Sequence, residues 1–286
     1  MDNRLQKIGS KKGEANRHII FKHFLGLMRL IYAAFSLLLV VMTSAQCQQT
    51  AEDWFNKGDD FSGKGFYDLA IKCYDDAIRL DPNFAAAWNN KGLAFRDQSK
   101  HEEAIKAYDE AIRLDPNLAA AWSNKGETLR KQGKYDDAIK YFGEAIRLDP
   151  NFAEAWYNKG LALYNQGKYA DAIMAYDEAI RLDPNLAAAW NNKGVALGEQ
   201  SNYADAINCF DEATRLNPNV AEAWNNKGVV LADQGKYEEA IKAYDEAIRL
   251  DPNGVEAWYN KGNALNALGR TTAADAAFAR AKELRI

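Results

Sequence analysis

Residues 153–186 read AEAWYNKGLALYNQGKYADAIMAYDEAIRLDPNL, and this text recurs with small changes every 34 residues. The tryptophans fall on that grid and nowhere else: Trp54, Trp88, Trp122, Trp156, Trp190, Trp224 and Trp258. All six prolines, Pro82, Pro116, Pro150, Pro184, Pro218 and Pro252, keep the same period. Two residue types locked to one spacing across seven copies mark a stacked repeat, in which no unit buries its apolar face alone. The grid predicts units over 51–84, 85–118, 119–152, 153–186, 187–220, 221–254 and 255–286, preceded by a distinct segment, 1–50. Such a stack presents a long continuous surface, which points to binding before any site is considered.

Within the quoted unit, Trp156, Gly160 and Leu163 are spaced as one stripe of a helix, and Gly167 breaks it. A second helix is expected from about Tyr169, where Ala172, Ile173, Tyr176, Ala179, Ile180 and Leu182 keep intervals of three and four. Asp171 near its start and Arg181 near its end complement the helix dipole. Pro184 stops it, because a proline ring cannot accept the continuing turn. Asn151 followed three residues later by Glu154 reads as a capping box for the first helix, as do Asn219/Glu222 and Asn253/Glu256. Each unit is therefore expected to be a helical hairpin and the fold all-α. A glycine stands four residues after every Trp, from Gly58 to Gly262. Mid-helix glycine costs about 1 kcal/mol against alanine. Seven copies imply that the second helix packs too close there to admit a Cβ.

Trp156, Gly160, Ala172, Tyr176, Ala179 and Pro184 together resemble the signature of the tetratricopeptide repeat family. That resemblance implies an α-solenoid, a right-handed superhelix of seven helix-turn-helix units, acting as a protein-binding scaffold. One departure is systematic: where the family commonly has Leu before the glycine, this chain has Lys57, Lys91, Lys125, Lys159, Lys193, Lys227 and Lys261. That position lies about 60° off the buried stripe, so the lysine stem is expected to cover the helix contact with its ammonium in water.

The residues one, two, five and eight after Trp resemble the lining of the family's concave surface. Asparagine always stands two after Trp, and Asn90, Asn124, Asn158, Asn192 and Asn226 are candidate partner-binding residues, since amides suit an extended peptide backbone. The other reading of this ladder is that it keeps the groove solvated or locks neighbouring units together. Specificity is expected where the lining varies: Tyr157, Leu161 and Tyr164 form a central apolar patch beside Arg96 and Arg130. That set suits a peptide with an apolar anchor and an acidic group. Family members that bind chaperone tails clamp a terminal carboxylate with lysine and asparagine. Asn90 matches one part of such a clamp, but Phe55 stands where it wants lysine, so that ligand is not expected. A partner protein or extended peptide is the expected ligand; the alternative is a structural spacer or self-assembling element with no dedicated ligand.

Other classes fit poorly. Residues 1–50 hold seven Lys or Arg against two Asp or Glu, leaving the array 29 basic and 38 acidic residues. An array of net negative charge is a poor nucleic-acid binder, because phosphate neutralisation needs clustered cations. The array's one histidine, His101, stands beside Glu102 and Glu103 on an expected turn, which reads as solvated. Cys73 and Cys209 occupy equivalent places four repeats apart, too far for a disulfide, and Ala107, Ala175, Ala243 and Ala277 hold that place elsewhere. No cysteine pair has metal spacing, and no phosphate loop or Ser/His/Asp set is recognisable, so neither an enzyme, a metal nor a cofactor is expected.

At the N-terminus, a basic stretch with Lys11, Lys12, Arg17, Lys22 and Arg29 leads into the apolar run Leu30–Met42 and then Thr43-Ser44-Ala45. That order reads as a secretory signal cut before Gln46, more compact still if translation starts at Met28. An uncleaved anchor from Phe24, a lipid anchor at Cys47 and a buried apolar helix are the other readings. The signal, the uncleaved anchor and the lipid anchor place the array outside the cytoplasm, secreted or membrane-anchored. At the other end, Asp275 and Lys282 replace the isoleucines of the fourth unit, so the last helix is expected to be polar and Ile286 to be a natural terminus.

Overall fold

The computed structural model describes residues 49–285 and Met28. The expected signal or anchor segment, its cleavage site and Cys47 lie outside the described residues. Among the described residues there are fourteen helices and no strand. They run α1 (Ala51–Gly63), α2 (Tyr67–Leu80), α3 (Ala85–Asp97), α4 (His101–Leu114), α5 (Ala119–Lys131), α6 (Tyr135–Leu148) and α7 (Ala153–Asn165). The second half continues as α8 (Tyr169–Leu182), α9 (Ala187–Glu199), α10 (Tyr203–Leu216), α11 (Ala221–Asp233), α12 (Tyr237–Leu250), α13 (Val255–Ala267) and α14 (Thr271–Glu283). None of these is long and apolar enough to cross a membrane.

Each odd-numbered helix pairs with the even-numbered one after it, and the next hairpin packs onto that second helix. Successive odd helices also touch one another, whereas successive even helices do not. The stack therefore curves with the odd helices on its inner side, which places their outward residues on a concave surface.

The core is made of alanines and one aromatic ring per unit. Tyr74, Tyr108, Phe142, Tyr176, Phe210 and Tyr244 are essentially inaccessible. Burying such a ring is worth roughly 1.5–3 kcal/mol, so these rings are the largest single packing term of each unit. Each lies over the glycine of its own hairpin: a Cβ on Gly160 would sit 2.5 Å from a ring carbon of Tyr176, and one on Gly126 2.9 Å from Phe142. The glycine is required by the ring, as the spacing implied.

The tryptophans are not fully inside. The buried positions of α7 are Ala155, Asn158, Gly160, Ala162 and Leu163, so Gly160 and Leu163 of the expected line are inside while Trp156 is half-buried. Its indole N–H donates to the Pro150 carbonyl at 3.3 Å, and Trp122, Trp190, Trp224 and Trp258 repeat the bond. The outer ring face is covered by the lysine three residues on, whose ammonium lies 4.7–5.7 Å from the Trp centroid in six units. This cation–π contact is joined to a carboxylate on the preceding hairpin: Lys91 to Asp75, Lys193 to Asp177, Lys227 to Asp211 and Lys261 to Asp245. Lys125 pairs with Asp109 in the same way and stacks over Tyr141, which here fills the place of Cys73 and Cys209. Its side chain is only 9% exposed, so the ammonium is not in water as the sequence led one to expect. Gly143 takes the carboxylate's place before Lys159, the one gap in the ladder.

The capping boxes read from Asn151, Asn219 and Asn253 do not form. The N-caps are the next residues, Phe152, Val220 and Gly254, without a side-chain cap. Asn lies one residue too early because Asp149, the residue before Pro150, accepts the Asn151 N–H at 3.0 Å and fixes an Asx turn there. The one capping box in the array is Thr50 with Asp53, at the start of α1. Asp53 also stands where later units bury an alanine, so the first hairpin presents a polar outer side. Asp275 and Lys282 are exposed on α14, so both ends of the stack are polar.

Between the helices of a hairpin, Gly65, Gly133, Gly167, Gly235 and Gly269 adopt φ of 72–78°. Units two and five use Ser99 and Ser201 instead, at φ 61° and 59°. A side chain in this left-handed region is crowded by its own carbonyl. Replacing Ser99 and Ser201 together by Gly is therefore expected to raise stability by about 0.5–1 kcal/mol per site. Thermal unfolding at or below the parent temperature would contradict it.

Candidate functional site

The inner side carries the residues one, two, five and eight after each Trp. From Asn90 on, the asparagines of the ladder are half-buried, with Asn158 itself buried, while Asn56 is exposed. Their amide N–H groups point along the stack: Asn124 donates to Asn89 at 2.9 Å, Asn192 to the Tyr157 hydroxyl at 2.9 Å and Asn226 to Asn191 at 3.2 Å. Asn90 donates to Asp59 at 2.8 Å, and Asn260 to Asn225 at 3.1 Å. Each of these bonds ties one hairpin to the one before it.

Tyr157, Leu161 and Tyr164 are brought together on α7, half-buried against Leu163, Ala172 and Tyr176. Tyr157 lies 6.1 Å, centroid to centroid, from Tyr176, and Tyr164 lies 5.4 Å from Tyr169. Burial pushes the Tyr157 phenol above its usual pKa, with the nearby Arg130 charge opposing. Both hydroxyls are therefore neutral hydrogen-bonding groups at physiological pH.

The two arginines differ although they hold equivalent places. Arg96 reaches Glu127, 31 residues on, at 2.6 Å, and Asp97 at 2.9 Å. Burial disfavours its charge, but these carboxylates outweigh that and hold its pKa above the ordinary value. The same offset from Arg130 lands on Leu161. Arg130 accordingly has no carboxylate within 4.0 Å among the described residues, and its Nε is buried without a partner. Burial also raises the pKa of Tyr176, whose hydroxyl is likewise buried and unpaired; the Arg130 charge acts against that rise. A guanidinium without a counter-ion beside an aromatic and aliphatic patch can take a carboxylate in a bidentate bond.

The other chemistry-bearing groups do not gather. His101 opens α4 and half-buries its ring. Cys73 and Cys209 are buried and free, and burial lifts the Cys209 thiol to about 11, which makes it a packing group at neutral pH.

Farther along the inner side lies a feature the sequence reading passed over. Eight residues after Trp, where Arg96, Arg130 and Tyr164 stand, units five and six have Gly198 and Ala232. Gly198 opens a cleft of about 210 Å³ between α9 and α11, and Ala232 lines the recess beyond it. The signal was present as a drop in side-chain size at a position already recognised as lining.

A curved stack of helical hairpins with a variable inner face defines an α-solenoid of the kind that serves protein–protein interaction. Family models for the tetratricopeptide repeat match residues 55–119, 124–187, 191–255 and 232–285, with a second such model at 107–140. The chain belongs to the tetratricopeptide repeat family, whose members are generally non-enzymatic scaffolds. No curated protein sequence matches it. Among solved structures, YrrB, described as a TPR protein with an unusual peptide-binding site, is 25% identical; the match covers 66% of this chain and 97% of YrrB, with a TM-score of 0.56. MamA from Desulfovibrio magneticus RS-1 is 26% identical over 58% of this chain and 94% of its own, at a TM-score of 0.55. The Cut9–Hcn1 hetero-tetramer of the APC/C is similar in fold alone: 22% identity, TM-score 0.67, over 80% of this chain and 45% of the matched one.

Proposed function

We propose that the inner face binds an extended segment of a partner protein, with the contact centred on unit four, and that the chain works as an assembly scaffold without catalysis. The observation that carries this is Arg130, a guanidinium lacking a carboxylate whose charge acts on Tyr157 and Tyr176, the rings of the cluster that holds Leu161 and Tyr164. An apolar anchor of the partner seats on the patch, and an acidic side chain pairs with Arg130. Arg96 stays with Glu127 and orders the neighbouring wall. Asn90, Asn124, Asn192 and Asn226 hold the trough in shape, and with Asn158 they offer their carbonyl oxygens to a peptide backbone where these remain free. YrrB, with its peptide-binding site, supports this reading by similarity.

The test is selection of a random-peptide phage library on the full chain, followed by affinity measurement of the enriched peptides. Replacing Tyr157, Leu161 and Tyr164 together by Ser is expected to abolish binding. Because these side chains also pack on Tyr176, Arg130→Gln is the companion variant; helical content should be unchanged and affinity at least tenfold weaker, or about 1.4 kcal/mol. Enriched peptides that bind both variants as well as the parent would exclude unit four. The absence of any enriched peptide would favour a spacer role.

The same reading places the array outside the cytoplasm. Its support is the basic stretch ahead of Leu30–Met42 and the small residues Thr43 and Ala45. N-terminal sequencing of the mature protein should begin at or near Gln46, or find an intact membrane-bound form; a soluble cytosolic species with Met1 intact would overturn it.

A further inference from the structure

The cleft between α9 and α11 has Val195, Gly198 and Val229 on its walls, with Phe210 and Val230 beneath. A Cβ on Gly198 would lie 3.2 Å from Val230, so the wall is closely packed and a larger residue would close it. Two carboxylates flank this apolar floor. Glu199 is the last residue of α9 and Asp233 the last of α11, and both line the cleft. Both are exposed, and among the described residues neither has a Lys or Arg nitrogen within 4.0 Å. The nearest polar partner of Glu199 is the Tyr164 hydroxyl at 3.5 Å, at the limit of a hydrogen bond.

Their placement is unfavourable for folding. A carboxylate in the last turn adds to the negative end of the helix dipole, and no basic residue shares the last turn of α9 or α11. Unit two solves the same problem by pairing Asp97 with Arg96, and unit three by placing Lys131 there. A second open recess, of about 350 Å³, continues past Asp233 between Val229, Asn260 and Asn263. The two recesses share Val229 and Asp233, so uncompensated negative charge borders both over units five to seven, and the uncompensated positive charge, Arg130, sits at unit three.

We infer that units five and six take an aliphatic side chain of the bound segment flanked by a Lys or Arg, so that the partner is an extended, charge-polarised peptide with its acidic residue at Arg130 and its basic residue at Glu199 and Asp233. This rests on the inner-face reading and specifies it. Neighbouring helices pack at about 10 Å, so Arg130 and the cleft are about 20–30 Å apart. An extended chain at about 3.3 Å per residue spans that in roughly six to nine residues. The apolar floor supplies affinity by excluding water from the aliphatic group, and the two carboxylates select the flanking cation.

The phage selection reads this out when run on the full parent chain and on Glu199→Lys/Asp233→Lys. Parent-selected peptides are expected to carry a Lys or Arg next to an aliphatic residue, six to nine positions from an Asp or Glu. They should bind the double variant at least tenfold more weakly, and the variant's own selection should drop the basic residue or replace it with an acidic one. The variant should unfold at the same or a higher temperature than the parent, because the two carboxylates leave their helix ends; this separates lost binding from lost fold. Peptides that require Tyr157, Leu161 and Tyr164 but show no basic bias, or bind the double variant unchanged, would overturn this inference and leave the inner-face reading standing. Failure to enrich any peptide would overturn both.

Discussion

Gly160→Ala should lower the stability of the array by about 1–2 kcal/mol, while Gly143→Ala, one helix earlier, should raise it by up to about 1 kcal/mol. Both glycines lie inside helices, and in both cases alanine gains about 1 kcal/mol of helix propensity. The difference is what the added methyl meets. At Gly160 it lies 2.5 and 2.7 Å from two ring carbons of Tyr176, whose ring is inaccessible and enclosed by Leu163, Ala172, Ala175 and Ala196. At Gly143 there is nothing within 4 Å. Overpacking a core costs typically 1–3 kcal/mol, and a contact this far inside van der Waals distance belongs at the upper end, so it outweighs propensity. Units couple to their neighbours, so the Gly160→Ala loss should be seen both in thermal unfolding and as faster amide exchange in α7 and α8. Equal signs for the two substitutions would show that the ring does not need the glycine.

Asp109→Ala is expected to cost about 2 kcal/mol, and Asp177→Ala less than about 1 kcal/mol. The two carboxylates hold the same place in units two and four, and each neutralises the lysine of the next unit. Lys193 keeps 20% of its side chain exposed and an indole below it, so water replaces its lost partner at small cost. Lys125 is only 9% exposed and enclosed by Tyr141, so although Asp109 itself is 53% exposed, its removal leaves a largely buried ammonium uncompensated. Burial acts against the Lys125 charge, but the hydrogen bonds to Asp109 and Tyr141 exceed it and raise its pKa above 10.5. A group whose folded-state pKa is raised stabilises fully below its unfolded value and loses that contribution as pH climbs past the folded one. The Asp109→Ala deficit should therefore be constant at neutral pH and shrink only in strongly alkaline buffer. Similar costs for the two substitutions, by denaturant unfolding, would remove the special status of Lys125.

Much of the fold is legible in the chain because one physical constraint repeats seven times. A fixed Trp, Gly and Pro spacing leaves no other way to bury each unit, and the glycine's need for a close neighbour follows from its cost in a helix. What escaped was detail governed by a single residue of offset. Asn151 looks like an N-cap because Glu154 follows it, but Asp149 takes its N–H first and moves the cap to Phe152. The tryptophans look fully internal because large apolar residues usually are, yet lysine stems and proline carbonyls are what cover them.

The candidate site was partly legible for the same reason. Tyr157, Leu161 and Tyr164 share a helix face, and one chain suffices to place them together. Arg96 and Arg130 read alike in sequence; their different states depend on whether Glu127 or Leu161 lies 31 residues on, an offset that only the stacked geometry reveals. The ladder of asparagines leaves two readings open in sequence, facing a ligand or locking neighbouring units, and the amide N–H groups are found bridging the hairpins. The cleft at Gly198 was missed because small residues carry no chemistry of their own; it exists through what surrounds them.

The most direct test of binding on the inner face uses a photoreactive benzoyl-phenylalanine placed in living cells either at Leu161, within the trough, or at Met174, 67% exposed on α8 on the opposite side. A partner adduct from position 161, absent from position 174 and lost when Arg130 is also changed to Gln, is the expected result. Equal adducts from both positions, or an adduct from 174 alone, would mean that partners dock on the outside of the stack.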